Sequence, residues 1–128
     1  MRISVLALLL LLESPDPVDR LTENTATYWA KGFVRKLEAP WSVRVEIEDT
    51  AIEALDARTV KDKNGTGCVL KVRRSQIRIL SVIAHEACHC VLDFPLLTEH
   101  GYDRTVTANE VRRMEMRARN CTDVLMER

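Results

Sequence analysis

The sequence carries no net charge: 19 lysines and arginines are balanced by 19 aspartates and glutamates over 128 residues. With no basic surplus and no dense basic block there is no electrostatic footprint for nucleic acid, so that class of partner is excluded. The chain also lacks any Cys-x-x-Cys pair, which removes the commonest redox and zinc-ribbon signatures. It has no apolar run of the roughly 20 residues needed to span a bilayer. No repeat or low-complexity stretch follows residue 14. What is present is 46% apolar residues with ordinary charge content, the composition of one folded domain with a modest core.

The densest apolar run, Val5 to Leu12, follows an early arginine, Arg2, and has the length of a signal-peptide core. The segment after it, Glu13-Ser14-Pro15-Asp16-Pro17, offers no small-x-small cleavage site. Residues 1–14 are therefore read as a leader or N-terminal extension and residues 15–128 as a single domain. The protein is secreted if the leader acts as a signal peptide and cytoplasmic otherwise. It is held at a membrane only if the run is retained as an anchor.

Asp16 before Pro17 predicts a helix start, with Asp as cap and Pro in the first turn. That helix should run to about Leu37, with Val18, Leu21, Thr25, Tyr28, Trp29, Phe33 and Leu37 covering a sheet. From Trp41 the period changes to two: Val43, Val45 and Ile47 alternate with charged residues, as in a half-buried strand. Strands are also predicted at Ala57 to Lys61 and Cys68 to Arg73, joined by Asn64-Gly65-Thr66-Gly67 into an antiparallel hairpin. Ser75 is a candidate cap for a helix from about Gln76 to Leu92, ended by Pro95. A loop over Phe94 to Arg104 leads to a last helix from about Ala108 to Leu125, with Val111, Met114, Ala118, Cys121 and Leu125 as its apolar stripe. Arg112, Arg113, Arg117 and Arg119 fall on its wet side, and Trp29 and Trp41 are expected in the core. The whole is an α+β domain with a small, mainly antiparallel, three-stranded sheet.

Four cysteines, Cys68, Cys88, Cys90 and Cys121, remain to be placed. Cys88 and Cys90 point to different sides of one helix and cannot readily bridge each other. Buried free thiols are expected in preference to a disulfide framework, because free Cys commonly serves as a small core residue.

The chemistry concentrates in His85-Glu86-Ala87-Cys88-His89. Residues four apart on a helix lie on one face, so two imidazoles at that spacing can share one metal ion, with the intervening glutamate as general base toward an activated water. Leu80, Ile83, Ala84, Ala87 and Val91 supply an apolar side, which turns His85, Glu86 and His89 away from the core toward a cleft. Catalytic zinc takes three protein ligands, so a third is required. Glu110, returned by the last helix, is the first choice and completes a two-His-one-Glu set. Thr107-Ala108-Asn109-Glu110 also fits a capping box, the competing structural reading of Glu110. Glu115 and His100 are the other candidate ligands, and Cys88 is assigned to packing.

The motif His85-Glu86-x-x-His89 followed by Asn109-Glu110 on a later helix resembles the gluzincin clan of zinc peptidases. The small size and order of elements are similar to the minigluzincins and to small phage-type zincin-like proteins. The resemblance covers about Val18 to Leu125, and Trp41-Ser42-Val43-Arg44-Val45 adds to it at the start of the sheet. Leu92 and Pro95 stand where a metzincin would carry its glycine and third histidine, so that branch is excluded. The resemblance implies a zincin-like fold, a Zn2+ cofactor, peptide or protein substrates, and Glu86 passing a proton from water to the leaving amine. It calls for an oxyanion donor, for which Tyr102 and His100 are the candidates. The alternative is a non-catalytic zincin-like module in which zinc staples a small core or the cleft binds a partner.

Overall fold

A computed structural model describes residues 16–49 and 55–127. The segment read as a leader or extension, residues 1–14, lies outside the described residues. Among those described, three helices and two small sheets form an α+β fold.

Helix α1 (Pro17–Lys36) begins where Asp16-Pro17 predicts: the Asp16 carboxylate accepts from the Val18 N–H at 2.8 Å, and Pro17 sits where no N–H is needed. Its buried side differs from the expected stripe. Ala26, Ala30, Phe33 and Val34 are buried, whereas Val18, Leu21 and Tyr28 are exposed. The two alanines let the helix axis approach the layer beneath, and that contact line carries the larger apolar residues of the first turns away from the core.

Strands β1 (Ser42–Ile47), β2 (Ala57–Lys61) and β3 (Gly67–Val72) form one sheet in the spatial order β1-β3-β2. β2 and β3 pair antiparallel, as expected of a hairpin, and Gly65 in the turn has φ +70°, a conformation that favours glycine. β1 pairs with β3 in parallel, from Ser42 opposite Gly67 to Ile47 opposite Val72. The expected mainly antiparallel sheet is therefore corrected to a mixed one. β3 is the strand buried almost throughout, so it takes the centre and β1 and β2 become edges. At Gly67 a Cβ would overlap the carbonyl and hydroxyl oxygens of Ser42, so the close approach of β1 to β3 depends on glycine there. The outer edge of β1 is covered by side chains of α1. The Val45 N–H donates to Thr27 Oγ1 at 2.9 Å and the Ile47 N–H to Glu23 Oε2 at 2.7 Å.

Helix α2 (Leu80–Asp93) starts later than Ser75 would have it. Ile79 precedes its first turn and Ile77 is fully buried, with turns closed by Gln76 N–H to Arg73 O and Ile79 N–H to Gln76 O taking up residues 73–79. Ile83, Ala84, Ala87, Cys88 and Cys90 are completely buried, and α2 contacts α1, β2, β3 and the last helix. The expectation that one side of α2 faces away from the core is corrected in part. Glu86 and His89 are themselves buried, at 6% and 4% exposure, while His85 is half-buried.

In place of a plain loop, a 3-10 turn (Phe94–Leu96) leads into a short hairpin of β4 (Leu97–Thr98) and β5 (Gly101–Tyr102). Trp41 stacks on Phe94 with ring centroids 3.8 Å apart, and Lys61 Nζ lies over the same ring. Helix α3 (Ala108–Leu125) has the predicted bounds and buries Met114, Ala118, Thr122 and Leu125.

The cysteines are not free thiols. Cys68–Cys90 ties β3 to α2, and Cys88–Cys121 ties α2 to α3. Cys88 and Cys90 do face different sides of α2, and that is why each reaches a different partner.

Candidate metal centre

His85 and His89 stand one turn apart on α2, and Glu115 reaches them from α3. The Nε2 atoms of the two rings are 3.1 Å apart. Glu115 Oε2 lies 3.1 Å from His85 Nε2, and Oε1 lies 2.8 Å from His89 Nε2. One ligand atom from each of the three residues can be chosen so that all lie within 4.8 Å of one another, a group that could hold a metal ion. Bonds of about 2 Å in a tetrahedron place ligand atoms about 3.3 Å apart, so the observed separations fit such an ion.

The outer nitrogens of both rings are engaged. His89 Nδ1 lies 2.7 Å from Asp93 Oδ2, a carboxylate one turn further along α2. A carboxylate accepts, so Nδ1 carries a proton held by Asp93, and Nε2, 2.8 Å from Glu115 Oε1, is the nitrogen left to a metal. His85 Nδ1 is 3.4 Å from Thr122 Oγ1, whose own proton goes to the Ala118 carbonyl at 2.7 Å. That leaves the hydroxyl oxygen to accept from Nδ1–H, and His85 Nε2, 3.1 Å from Glu115 Oε2, is the nitrogen turned inward. With both Nδ1 atoms engaged from behind, a metal bound between the rings would take the place of a proton at the two Nε2 atoms.

Electrostatics follow from burial. Desolvation pushes the Glu86 carboxyl above its ordinary value, against the pull of the two nearby imidazoles and the Thr59 hydroxyl. For His89, burial works against the charged ring, yet the Asp93 hydrogen bond and the Glu86, Glu115 and Asp93 charges outweigh it and hold the pKa above the usual imidazole value. Burial, then the bond to Asp93, drives the Tyr102 phenol far upward, so it stays a proton donor. Asp93 is 1% exposed, and its second oxygen, Oδ1, has no hydrogen-bond partner among the described residues.

The residues nominated from sequence fall into two groups. His85, His89 and Glu115 are brought together, and His85, Glu86 and Glu115 line a cleft of about 680 Å³. Glu110 is not: Thr107 Oγ1 accepts from the Glu110 N–H at 3.2 Å, and Glu110 Oε1 accepts from the Thr107 N–H at 3.2 Å, the capping box. Five positions along a helix rotate a side chain by roughly 140°, so Glu110 faces a different groove, with Arg113, Met114 and Arg117. Of the candidate third ligands it is Glu115, not Glu110, that lies beside the two imidazoles, on a helix face shared with Arg119 and Thr122. His100 is exposed on the β4–β5 turn and belongs to neither the ligand group nor the cleft lining.

Tyr102 is at the site but not in the place of an oxyanion donor. Its hydroxyl donates to Asp93 Oδ2 at 2.6 Å and lies 3.1 Å from His89 Nδ1, the far side of the ring from Nε2. Three contributors went unnoticed in the sequence. Asp93 repeats the i,i+4 spacing of the histidine pair and was within reach of the same reasoning, whereas Thr59 and Thr122 come from distant elements without a local signal. The Thr59 hydroxyl lies 3.0 Å from Glu86 Oε1 and 3.1 Å from the Glu86 carbonyl oxygen.

No protein-family model, curated protein or solved structure matches this chain.

Proposed function

We propose that the chain is a zinc-dependent metallopeptidase of zincin-like fold, with His85, His89 and Glu115 as metal ligands and Glu86 as general base. The observation that carries the reading is the convergence of two imidazole nitrogens and a carboxylate from a second helix, next to a buried glutamate, at a cleft lined by His85, Glu86 and Glu115. Two nitrogens and one carboxylate oxygen suit zinc, which when bound supplies Lewis acidity toward a water and a peptide carbonyl. Asp93 and Thr122 orient the two rings by holding their Nδ1 protons. Thr59 binds Oε1 of Glu86, which leaves Oε2 to take a proton and return it to the leaving amine. Burial raises the proton affinity of that carboxyl toward the range a base needs near neutrality.

The cleft of about 680 Å³ suits a short stretch of peptide. The two disulfides support an oxidising compartment, and with it the reading of residues 1–14 as an export leader.

A mixed peptide library incubated with zinc-loaded protein tests the proposal. Cleavage that stops with a chelator, returns with zinc, and is lost in Glu86→Gln while zinc stays bound is the expected result. A second reading, a non-catalytic zinc-binding module, draws on the buried Glu86 and its tie to Thr59. Stoichiometric zinc with no cleavage in the library would favour it.

A further inference from the structure

We infer that the Cys88–Cys121 bridge holds the third metal ligand in register with the other two, and that its reduction opens the metal centre. The inference rests on the metal-binding reading given above. His85 and His89 share one helix, so the helix itself keeps their spacing. Glu115 comes from α3, and its distance from the imidazoles depends on how α3 is docked. That docking runs through one neighbour, since α2 is the one element against which α3 packs extensively among the described residues. α3 buries four residues, Met114, Ala118, Thr122 and Leu125, and Ala118 and Thr122 are small. The covalent link joins the helices next to the site on both sides: Cys88 directly precedes His89, and Cys121 directly precedes Thr122, the partner of His85.

The other bridge provides the contrast. Cys68–Cys90 fastens α2 to β3, which contributes no member of the ligand group. The two also differ in access. Cys68, Cys88 and Cys90 are 1%, 0% and 0% exposed, whereas Cys121 is half-buried, so exchange begins at the Cys121 sulfur. The thiolate of a small dithiol attacks Cys121 Sγ, the S–S bond breaks, and Cys88 departs and takes up a proton. The second thiol of the reductant closes on the mixed disulfide and releases Cys121 as a thiol. Two electrons and two protons pass to the protein, and the dithiol becomes a cyclic disulfide. The site is thus assembled in an oxidising compartment and slack in a reducing one.

Zinc affinity of the full chain, measured by competition with a chromophoric chelator, tests this. The oxidised wild type should bind one zinc, and if it binds none the metal reading itself fails. The double variant Cys88→Ala/Cys121→Ala should bind zinc more weakly by about tenfold or more, because a pre-placed ligand has become a mobile one. Cys68→Ala/Cys90→Ala should lower the melting temperature yet leave the zinc Kd within about twofold of wild type. Unchanged affinity in the first double variant, or equal losses in both, overturns the inference. If the first variant does not fold, wild type treated with a water-soluble phosphine, which does not compete for zinc as a dithiol does, provides the second measurement. Zinc release that tracks alkylation of Cys88 and Cys121 is the expected result, and zinc retained after both are alkylated overturns it.

Discussion

Asp93 accepts from Nδ1 of His89 at 2.7 Å, one helical turn further along α2, and so decides which nitrogen of that ring faces Glu115. Asp93 is 1% exposed and also receives the Tyr102 hydroxyl at 2.6 Å. A buried carboxylate behind an imidazole raises the basicity of the ligating nitrogen and locks its tautomer, and partners of this kind contribute about 10- to 100-fold in metal affinity. Asp93→Asn keeps the shape but removes the charge. Zinc affinity by chelator competition should fall within that range while the fold persists by circular dichroism. An undiminished affinity would remove Asp93 from the site.

The two glutamates of α3 separate cleanly. Glu115→Gln removes a donor from the His85, His89, Glu115 group and should abolish tight zinc binding. Glu110→Gln should leave zinc binding intact, because Glu110 bonds to Thr107 at the helix start and faces another groove. Its effect should appear as a small drop in melting temperature from a weakened cap. Zinc lost in Glu110→Gln and kept in Glu115→Gln would reverse the assignment.

Why the histidine pair was legible and the choice among Glu110, Glu115 and His100 was not is a matter of range. His85, Glu86 and His89 belong to one turn of helix, where backbone geometry alone sets their spacing. Which glutamate of α3 points at them depends on how that helix is rotated in its seat, and Met114, Ala118 and Leu125 fix the rotation only after they find their partners. The bounds of α3 were visible because Thr107 and its apolar period are local signals. The cysteine pairs share the difficulty of Glu115: spacing excludes Cys88 with Cys90, but the true partners lie 22 and 33 positions away. The parallel pairing of β1 was hidden for the same reason, since alternation reveals a strand and not its neighbour. On α1, the large apolar residues Val18, Leu21 and Tyr28 misled, and the small Ala26 and Ala30 mark the real contact.

Acid should weaken the sheet through Glu48. Arg58 donates to its Oε1 at 2.8 Å and Oε2 at 3.1 Å, and Lys71 Nζ is 3.3 Å away. The Arg58 hydrogen bond, ahead of the opposing effect of burial, holds the Glu48 carboxyl below its ordinary value. A carboxylate with a depressed folded pKa contributes stability that is fully present above the unfolded pKa of about 4.3 and is lost as pH falls through the folded pKa. Glu48→Gln should therefore be less stable than wild type at pH 7, and the two should converge in more acidic buffer. Urea midpoints measured from pH 7 down to about 3 follow the gap. A gap that stays constant would mean the pair contributes nothing beyond packing.

Gly67 controls how closely β1 can approach β3, and through β3 where α2 sits. Its partner in the parallel register is Ser42, whose carbonyl and hydroxyl oxygens occupy the space a Cβ would take. The carbonyl is backbone and cannot rotate away, so Gly67→Ala must push the strands apart at that end. Forcing a methyl into a packed contact costs about 1–3 kcal/mol. Urea denaturation should show a loss in that range. Because β3 bears no ligand and Cys88–Cys121 still joins α2 to α3, zinc affinity of the folded variant should remain close to wild type. Gly67→Ala as stable as wild type would mean that β1 is free to shift relative to β3.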